Sequence, residues 1–144
     1  MRFLCLLFAF ACKTKEPVSF YPCPYEDFMW ALMMQESSGN PRAVYMESFN
    51  VESLGLFQVS LQDKGPRYKC NFTDRESVFD PKRNRDCADK ILARLRVEFP
   101  NDNVWQMGGR YFSTLRHPTY WKDARKAPFE GFKKYLTQRG CIIK

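Results

Sequence analysis

The carboxyl group of Glu36 is the first side chain in this sequence with an evident chemical use. It follows the uncharged run 28–34 (FMWALMM) and precedes the turn-forming residues 37–41 (SSGNP). In a helix, Phe28, Leu32 and Glu36 lie on one face, because residues four apart stack along the axis. Apolar neighbours disfavour a carboxylate and raise its pKa above the usual value of about 4.3. Such a carboxyl keeps its proton near neutral pH and can act as a general acid, whereas an ordinary Glu at a helix end is solvated.

Four short segments follow one another in a specific order. They are 36–41 (ESSGNP), 55–59 (GLFQV), 80–84 (DPKRN) and 109–111 (GRY). Their order resembles the E-S-x-x-N-P, G-L-M-Q, D-P-x-x-N and small-small-Tyr elements of the lytic transglycosylase and goose-type lysozyme family. Each element alone is a weak signal, but four in the right order over residues 28–111 are a strong one.

The resemblance implies a lysozyme-like fold that cleaves the β-1,4 bond between N-acetylmuramic acid and N-acetylglucosamine in peptidoglycan, without a cofactor. It implies that Glu36 is the catalytic acid, which protonates the glycosidic oxygen as the bond breaks. Gln58 resembles the family glutamine that lines the sugar site, and Tyr111 resembles the tyrosine whose hydroxyl approaches the acid or the sugar. A polar loop residue and a core tyrosine are the structural alternatives for these two positions.

Other candidate substrate-binding residues flank these positions. Leu56 and Phe57 are interpreted as floor and wall of the groove, and Phe57 is bulkier than the methionine usual in the family. Ser37 either fixes the rotamer of Glu36 through a hydrogen bond or bonds to the helix backbone. Arg110 either faces solvent or contacts a carboxylate of the muramyl residue or its peptide stem.

A second carboxylate distinguishes the two reactions that the family performs. A hydrolytic muramidase uses one to stabilise the oxocarbenium-like state or to activate water. In a lytic transglycosylase the 6-hydroxyl of the sugar attacks instead and leaves a 1,6-anhydro end. The acid that goose-type enzymes carry after the Gln-Val pair is absent, since Ser60 stands there. We therefore favour the transglycosylase, and keep Glu47, Glu52 and Asp63 either as possible second acids of a hydrolase or as exposed loop acids.

Two other classes of function are kept as alternatives. The chain has 23 Lys and Arg against 16 acids, a net charge of +7. These basic residues are scattered rather than gathered into a nucleic-acid-binding stripe, so we expect no nucleic-acid partner. A cationic binder would explain the charge but not the order of the motifs. A non-catalytic peptidoglycan-binding protein would have no chemical need for Glu36.

The first residues predict export from a bacterial cell. Residues 1–11 combine a basic residue, an apolar stretch and a small-x-small exit, the pattern of an export signal that is too short to span a bilayer. Cys12 resembles the acylated cysteine of a bacterial lipoprotein, and the proline-containing residues 12–24 are interpreted as a tether. We expect a monomer with one peptidoglycan-cleaving domain over residues 25–144. It would be periplasmic, anchored to the outer membrane through Cys12, or secreted.

The cysteines that remain after Cys5 and Cys12 predict two disulfides. Four spread cysteines in an exported chain of this size allow three pairings, among Cys23, Cys70, Cys87 and Cys141. A metal site is disfavoured, because the sequence has no C-x-x-C and His117 is its only histidine.

Helices must position these residues, and the sequence predicts a mainly α fold, α+β at most, with few or very short strands. Helices are predicted over 25–35, from the Asp80-Pro81 entry to 97, over 105–115 and over 129–138. Residues 42–55 are predicted to be irregular, and 56–61 to form a short strand or the start of a helix. The pair Gly108-Gly109 indicates either close helix packing or a kink.

Overall fold

Six helices and one hairpin form the computed structural model, which describes residues 23–48, 50–112 and 126–141. In chain order, the elements are α1 (Tyr25–Ser37), β1 (Val44–Ser48), β2 (Val51–Leu54), α2 (Lys64–Arg67), α3 (Arg75–Val78), α4 (Pro81–Glu98), α5 (Val104–Phe112) and α6 (Lys126–Gln138). The predicted mainly α fold with very short strands is confirmed. The proposed signal 1–11, Cys12, His117 and residues 113–115 lie outside the described residues.

Helix α1 begins where local sequence signals predict, and it ends two residues after the predicted end. The carbonyl of Pro24 accepts the first helical hydrogen bond, from the N–H of Phe28, at 3.0 Å. Two acids in the first turn interact favourably with the positive end of the helix dipole. The helix ends because Ser38 adopts a left-handed conformation, with φ 55°, and its N–H bonds to the carbonyl of Met34. Glu36 therefore lies in the last turn, beyond the predicted end at residue 35.

Helix α4 confirms the second predicted helix. Its first N–H groups are capped by Asp80, whose carboxylate accepts from the N–H of Arg83 at 2.8 Å, and Pro81 occupies the first turn. Its buried face consists of Asn84, Cys87, Ala88, Ile91, Leu92 and Leu95. This face packs against α5, which follows in the chain.

The prediction of an irregular segment at 42–55 is wrong, because β1 and β2 form an antiparallel hairpin there. Val44 lies opposite Leu54, and Ser48 lies opposite Val51. Asn50 adopts a positive φ of 66° between the strands, a conformation that Asn tolerates better than most residues. The first residues of β1 are consecutive exposed apolar side chains, so the alternation typical of a half-buried strand is missing.

Residues 56–61 form neither the predicted strand nor the predicted helix start. Leu54 and Val59 exchange two backbone hydrogen bonds of 3.0 Å, which close the intervening residues into a tight turn. Gly55 and Gln58 take positive φ values of 76° and 49° in this turn. We call residues 55–59 the GLFQV loop. The short helices α2 and α3 were also not predicted.

Helices α1, α5 and α6 pack around one aromatic cluster. The ring of Phe132 on α6 contacts Phe28 edge to face, with the ring centroids 5.6 Å apart. A Cβ atom at Gly108 would lie 2.2 Å from the same ring, so only glycine permits this approach. Close helix packing, one of the two alternatives for Gly108, is therefore the reason for a glycine there.

The two predicted disulfides are present, and the structure selects one of the three pairings. Cys23 is bonded to Cys141, which joins the residue just before α1 to the residue just after α6. Cys70 is bonded to Cys87, which attaches the loop after α2 to the buried face of α4. Among the described helices, none has the length and apolarity needed to cross a membrane.

Candidate active site

Glu36 occupies the position that its spacing predicts, at the end of the apolar face of α1. Phe28 and Leu32, two turns and one turn earlier, are completely buried, and Glu36 itself is half-buried. Burial raises the pKa of the Tyr111 hydroxyl well above its usual value, and the nearby negative charge of Glu36 raises that pKa further. Glu36 and Tyr111, which are far apart in sequence, are therefore electrostatic neighbours.

Tyr111 connects α5 to the GLFQV loop. Its side chain is only 2% exposed, and its hydroxyl donates a 2.7 Å hydrogen bond to the carbonyl of Phe57. Tyr111 is therefore a core tyrosine that holds the GLFQV loop, and the approach of its hydroxyl to the acid or the sugar stays a prediction.

Asn84 holds the GLFQV loop from the other side, a role that sequence reasoning missed. Its amide nitrogen donates to the carbonyls of Leu54 and Val78, and its amide oxygen accepts from the N–H of Phe57. The side chain is completely buried, and a Cβ atom at Gly55 would lie 2.6 Å from its nitrogen. The last Asn of the D-P-x-x-N element was the available signal, but only the capping residues of that element were interpreted.

The side-chain amide nitrogen of Gln58 donates hydrogen bonds to the protein backbone. The residue is 5% exposed, and its Nε2 donates to the carbonyls of Gly55 and Ala43 at 2.9 and 3.3 Å. These bonds hold the loop against the start of the hairpin. In the same loop, Phe57 is buried and Leu56 is partly exposed.

Ser37 bonds to the helix backbone rather than to the carboxyl of Glu36. Its hydroxyl donates to the carbonyl of Met33 at 3.2 Å, one helical turn earlier. Arg110 is similarly engaged within the protein. Its Nε donates to Asp102 at 2.9 Å, and its guanidinium lies 3.6 Å from the centre of the Phe99 ring.

Two of the three possible second acids form ion pairs with arginines. Both carboxylate oxygens of Glu52 accept from Arg75, at 2.8 and 3.1 Å, and this pairing lowers the pKa of Glu52. The carboxylate of Asp63, the residue before α2, accepts a hydrogen bond of 2.7 Å from Arg67, the last residue of α2. Neither carboxylate is associated with Glu36 or Tyr111 by these contacts.

Glu47, the third possible second acid, is linked to the GLFQV loop through Lys64. Its carboxylate accepts a hydrogen bond from the buried hydroxyl of Ser53, on the neighbouring strand. It also lies 4.0 Å from the ammonium of Lys64. The hairpin that sequence reasoning missed is therefore what directs this acid inward.

Lys64 is a second residue of the site that sequence reasoning missed. It is 8% exposed, and its Nζ donates to the carbonyl of Gln58 at 3.2 Å. The same Nζ lies 5.3 Å from the centre of the Tyr111 ring. Lysine is rarely this buried unless its charge has partners. Nothing in the surrounding sequence LQDKG distinguishes it from an exposed loop lysine.

The geometry combines a half-buried acid at a helix end, a buried tyrosine and a tightly held glycine-led loop. Within the described ranges, no group of three or more His, Cys, Asp or Glu side chains is placed to hold a metal ion. The carboxyl and amide groups of the residues named above can supply acid–base chemistry and polar contacts to a substrate. The described helices and hairpin are consistent with a mainly α, lysozyme-like fold.

Comparison with known families identifies the domain more closely. The model of the Transglycosylase SLT domain family matches residues 25–128, which is more than half of the chain, and the chain belongs to this family. The resemblance noted in the sequence is thereby confirmed. No curated protein and no solved structure matches the chain. The family consists of lytic transglycosylases that act on peptidoglycan in the bacterial periplasm and cell wall.

Proposed function

We propose that this chain is a peptidoglycan lytic transglycosylase in which Glu36 is the single catalytic acid. Its substrate is the β-1,4 bond between N-acetylmuramic acid and N-acetylglucosamine in the glycan strands. The proposal is carried by the position of Glu36, half-buried at the end of the apolar face of α1 and beside Tyr111. Such surroundings favour the protonated carboxyl that a general acid needs.

The reaction requires two proton transfers at one carboxyl group. Glu36 gives its proton to the glycosidic oxygen, so that the bond between this oxygen and C1 of the muramyl residue breaks and the N-acetylglucosamine hydroxyl leaves. The resulting carboxylate takes the proton of the muramyl 6-hydroxyl, and the oxygen of that hydroxyl forms a new bond to C1. The product carries a 1,6-anhydro end, Glu36 is protonated again, and no water is consumed.

The other candidate residues bind or position rather than react. The hydroxyl of Tyr111 donates its hydrogen bond to the Phe57 carbonyl, so Tyr111 keeps the GLFQV loop beside the acid. Gln58 holds the loop with its amide nitrogen and offers its amide oxygen to a sugar hydroxyl. Leu56 supplies partly exposed apolar surface for the sugar ring, above the buried Phe57. Ser37 acts on Glu36 only indirectly, through the helix backbone.

The engagement of the other carboxylates supports a reaction with a single acid. A muramidase needs a second carboxylate that faces the oxocarbenium-like carbon or a water molecule. Glu52 and Asp63 are instead bound to arginines. Two candidates for the hydrolytic role are therefore committed to structural ion pairs.

A hydrolytic muramidase is the second candidate function, and Glu47 is the observation that favours it. Its carboxylate is oriented by Ser53 and lies near Lys64 at the GLFQV loop, with its side chain 21% exposed. In that case Glu47 would activate water, and the products would carry reducing ends. A non-catalytic peptidoglycan-binding protein has no comparable observation in its favour.

The proposed location follows from the first residues and from the family. Residues 1–11 direct export, Cys12 carries a lipid anchor at the outer membrane, and residues 12–24 tether the domain as a monomer. The acidic, carbohydrate-rich wall that such a domain works on would attract its net charge of +7.

Replacing the acid tests the proposal directly. We expect Glu36→Gln to lower the rate of cell-wall lysis by about 10²- to 10⁴-fold while peptidoglycan binding is retained, because the amide cannot donate the catalytic proton. Glu130→Gln, at an exposed position of α6, is the matched control and should lyse as the parent does.

Mass analysis of the digestion products separates the candidate functions. The parent should release fragments with 1,6-anhydro ends. Reducing ends that disappear in Glu47→Gln would establish the hydrolase instead. Lysis by Glu36→Gln at the parental rate would refute the assignment of the acid, and binding without any products would identify a non-catalytic protein.

A further inference from the structure

A cationic cavity lies between the end of α2 and the C-terminal half of α4, and it has no part in the chemistry above. Its volume is about 460 Å³, and its lining residues are Arg67, Tyr68, Lys69, Lys90, Arg94 and Glu98. The volume is in the range of sites that bind small molecules or short peptide segments. Four of the six lining side chains are basic, so an occupant should be anionic.

The walls of this cavity are fixed by contacts between two parts of the chain. The Cys70–Cys87 disulfide attaches the loop after α2 to α4. The ammonium of Lys90, on α4, donates to the carbonyl of Lys69 at 2.9 Å. Lys69 itself has a positive φ of 53°, and a second hydrogen bond, to the carbonyl of Pro66, holds its N–H. The cavity therefore does not depend on a flexible surface loop.

The cavity retains positive charge after its internal ion pairs are counted. Arg67 pairs with Asp63, and Arg94 pairs with Glu98, each at 2.7 Å. The ion pairs found in the described ranges include neither Lys69 nor Lys90. Four basic groups thus face two carboxylates, and the two lysines provide the excess charge.

The short helix α2 connects this cavity to the candidate active site. Lys64, its first residue, contacts Gln58 and lies beside Tyr111, while Arg67, its last residue, lines the cavity. The helix is a single turn, which advances about 5.4 Å along its axis. An extended peptide covers about 3.3–3.6 Å per residue, so two residues of peptide match the length of this helix.

We propose that the cavity binds the carboxylates of the peptide stems that are attached to the muramyl residues of peptidoglycan. This inference rests on the proposed function, because it assumes that muramyl residues occupy the site. Lys69 and Lys90 attract the carboxylates, and the half-buried Tyr68 offers a ring to the apolar part of the peptide. Arg110, the sequence-based candidate for this contact, is bound to Asp102.

Comparison of two substrates tests the proposal. The variant Lys69→Gln/Lys90→Gln should raise KM for stem-bearing peptidoglycan about five- to tenfold, the effect of losing two exposed charge pairs. Its activity on glycan strands from which the stems have been removed should equal that of the parent. Lys82→Gln, which removes an exposed lysine at the other end of α4, should change neither activity.

Direct binding provides the second measurement. In an NMR titration, a free stem tetrapeptide should shift the backbone signals of residues 68 and 69 in the parent and in Glu36→Gln, but not in the double-lysine variant. Inorganic phosphate at the same ionic strength should bind more weakly than the peptide. Tighter binding of phosphate than of the peptide would contradict the proposal and identify the cavity as a phosphate site.

Other results overturn the proposal outright. They are an equal loss of activity on stem-bearing and stem-free strands, an unchanged KM in the double variant, or the absence of peptide binding. Failure of the proposed function is recognised separately, because the parent would then cleave neither substrate. The peptide titration would still decide whether the cavity binds stems.

Discussion

The ammonium group of Lys64 lies between three segments that meet at the candidate site. It donates to the Gln58 carbonyl in the GLFQV loop and lies near Glu47 on β1 and the Tyr111 ring on α5. A single buried charge thus links the hairpin, the loop and a helix. We assign Lys64 a positioning role, since its hydrogen bond, ion pair and ring contact hold Gln58, Glu47 and Tyr111 together.

Replacing this lysine should affect both stability and turnover. Lys64→Met leaves the Gln58 carbonyl without its donor and removes the cation near Glu47, which should lower the free energy of unfolding by about 1–3 kcal/mol. We expect kcat to fall by about tenfold while KM changes less, because the loop beside the acid is misplaced. Urea denaturation and steady-state lysis measure the two effects.

A double substitution distinguishes the positioning role from a general loss of packing. Lys64→Met/Glu47→Gln removes both charges, and should regain part of the stability that Lys64→Met loses. Lys133→Met, at an exposed position on α6, is the matched control and should leave both quantities unchanged. Additive effects in the double variant would show that Lys64 and Glu47 are not coupled.

At the scale of elements, the N-terminal part of α4 holds the GLFQV loop. Asp80 and Pro81 start this helix, and Asn84 then reaches the loop and the residue before it. The spacing of the D-P-x-x-N segment has a physical explanation in this arrangement. A capped helix start fixes the position of the Asn one turn later, where it can saturate three backbone groups.

Removal of this amide should loosen the loop without disturbing α4. Asn84→Ala loses three buried hydrogen bonds, and we expect the free energy of unfolding to fall by about 2–4 kcal/mol. Hydrogen exchange should accelerate at the Phe57 N–H, while the amides in the middle of α4 keep their protection. Asn101→Ala, at an exposed turn, serves as control. An unchanged exchange rate at the Phe57 N–H would show that Asn84 does not hold the loop.

At the scale of the whole molecule, two disulfides constrain very different lengths of chain. Cys23–Cys141 joins residues 118 positions apart, and Cys70–Cys87 joins residues 17 positions apart. The longer one connects the two ends of the described part, where α1 packs against α6. The start of the helix that carries Glu36 is thereby attached to the residue that follows α6 closely in the chain.

The chain-entropy model predicts unequal effects when each disulfide is removed. Replacing Cys23 and Cys141 by Ser should cost about 5 kcal/mol of unfolding free energy, and replacing Cys70 and Cys87 about 3 kcal/mol. Denaturation of each oxidised double-serine variant measures this difference. The opposite order would show that native contacts around the shorter loop outweigh the entropy of the unfolded chain.

Features that depend on neighbouring residues could be predicted from the sequence alone. Glu36 lies on the apolar face of α1 because helical spacing places it there, and Pro24 and the left-handed Ser38 bound the helix through local hydrogen bonds. The start of α4 at Asp80 is similarly local. Short-range sterics and capping determine each of these features.

Contacts between distant residues were decided only by the tertiary structure. The sequence of the hairpin does not alternate between apolar and polar residues, because consecutive exposed apolar side chains occupy its first strand, β1. Three other features depend on residues from different segments of the chain. They are the burial of Lys64, the three hydrogen bonds of Asn84 and the pairing of the disulfides. Local propensity carries no information on such partners, since the free energy that selects them arises only when the elements pack together.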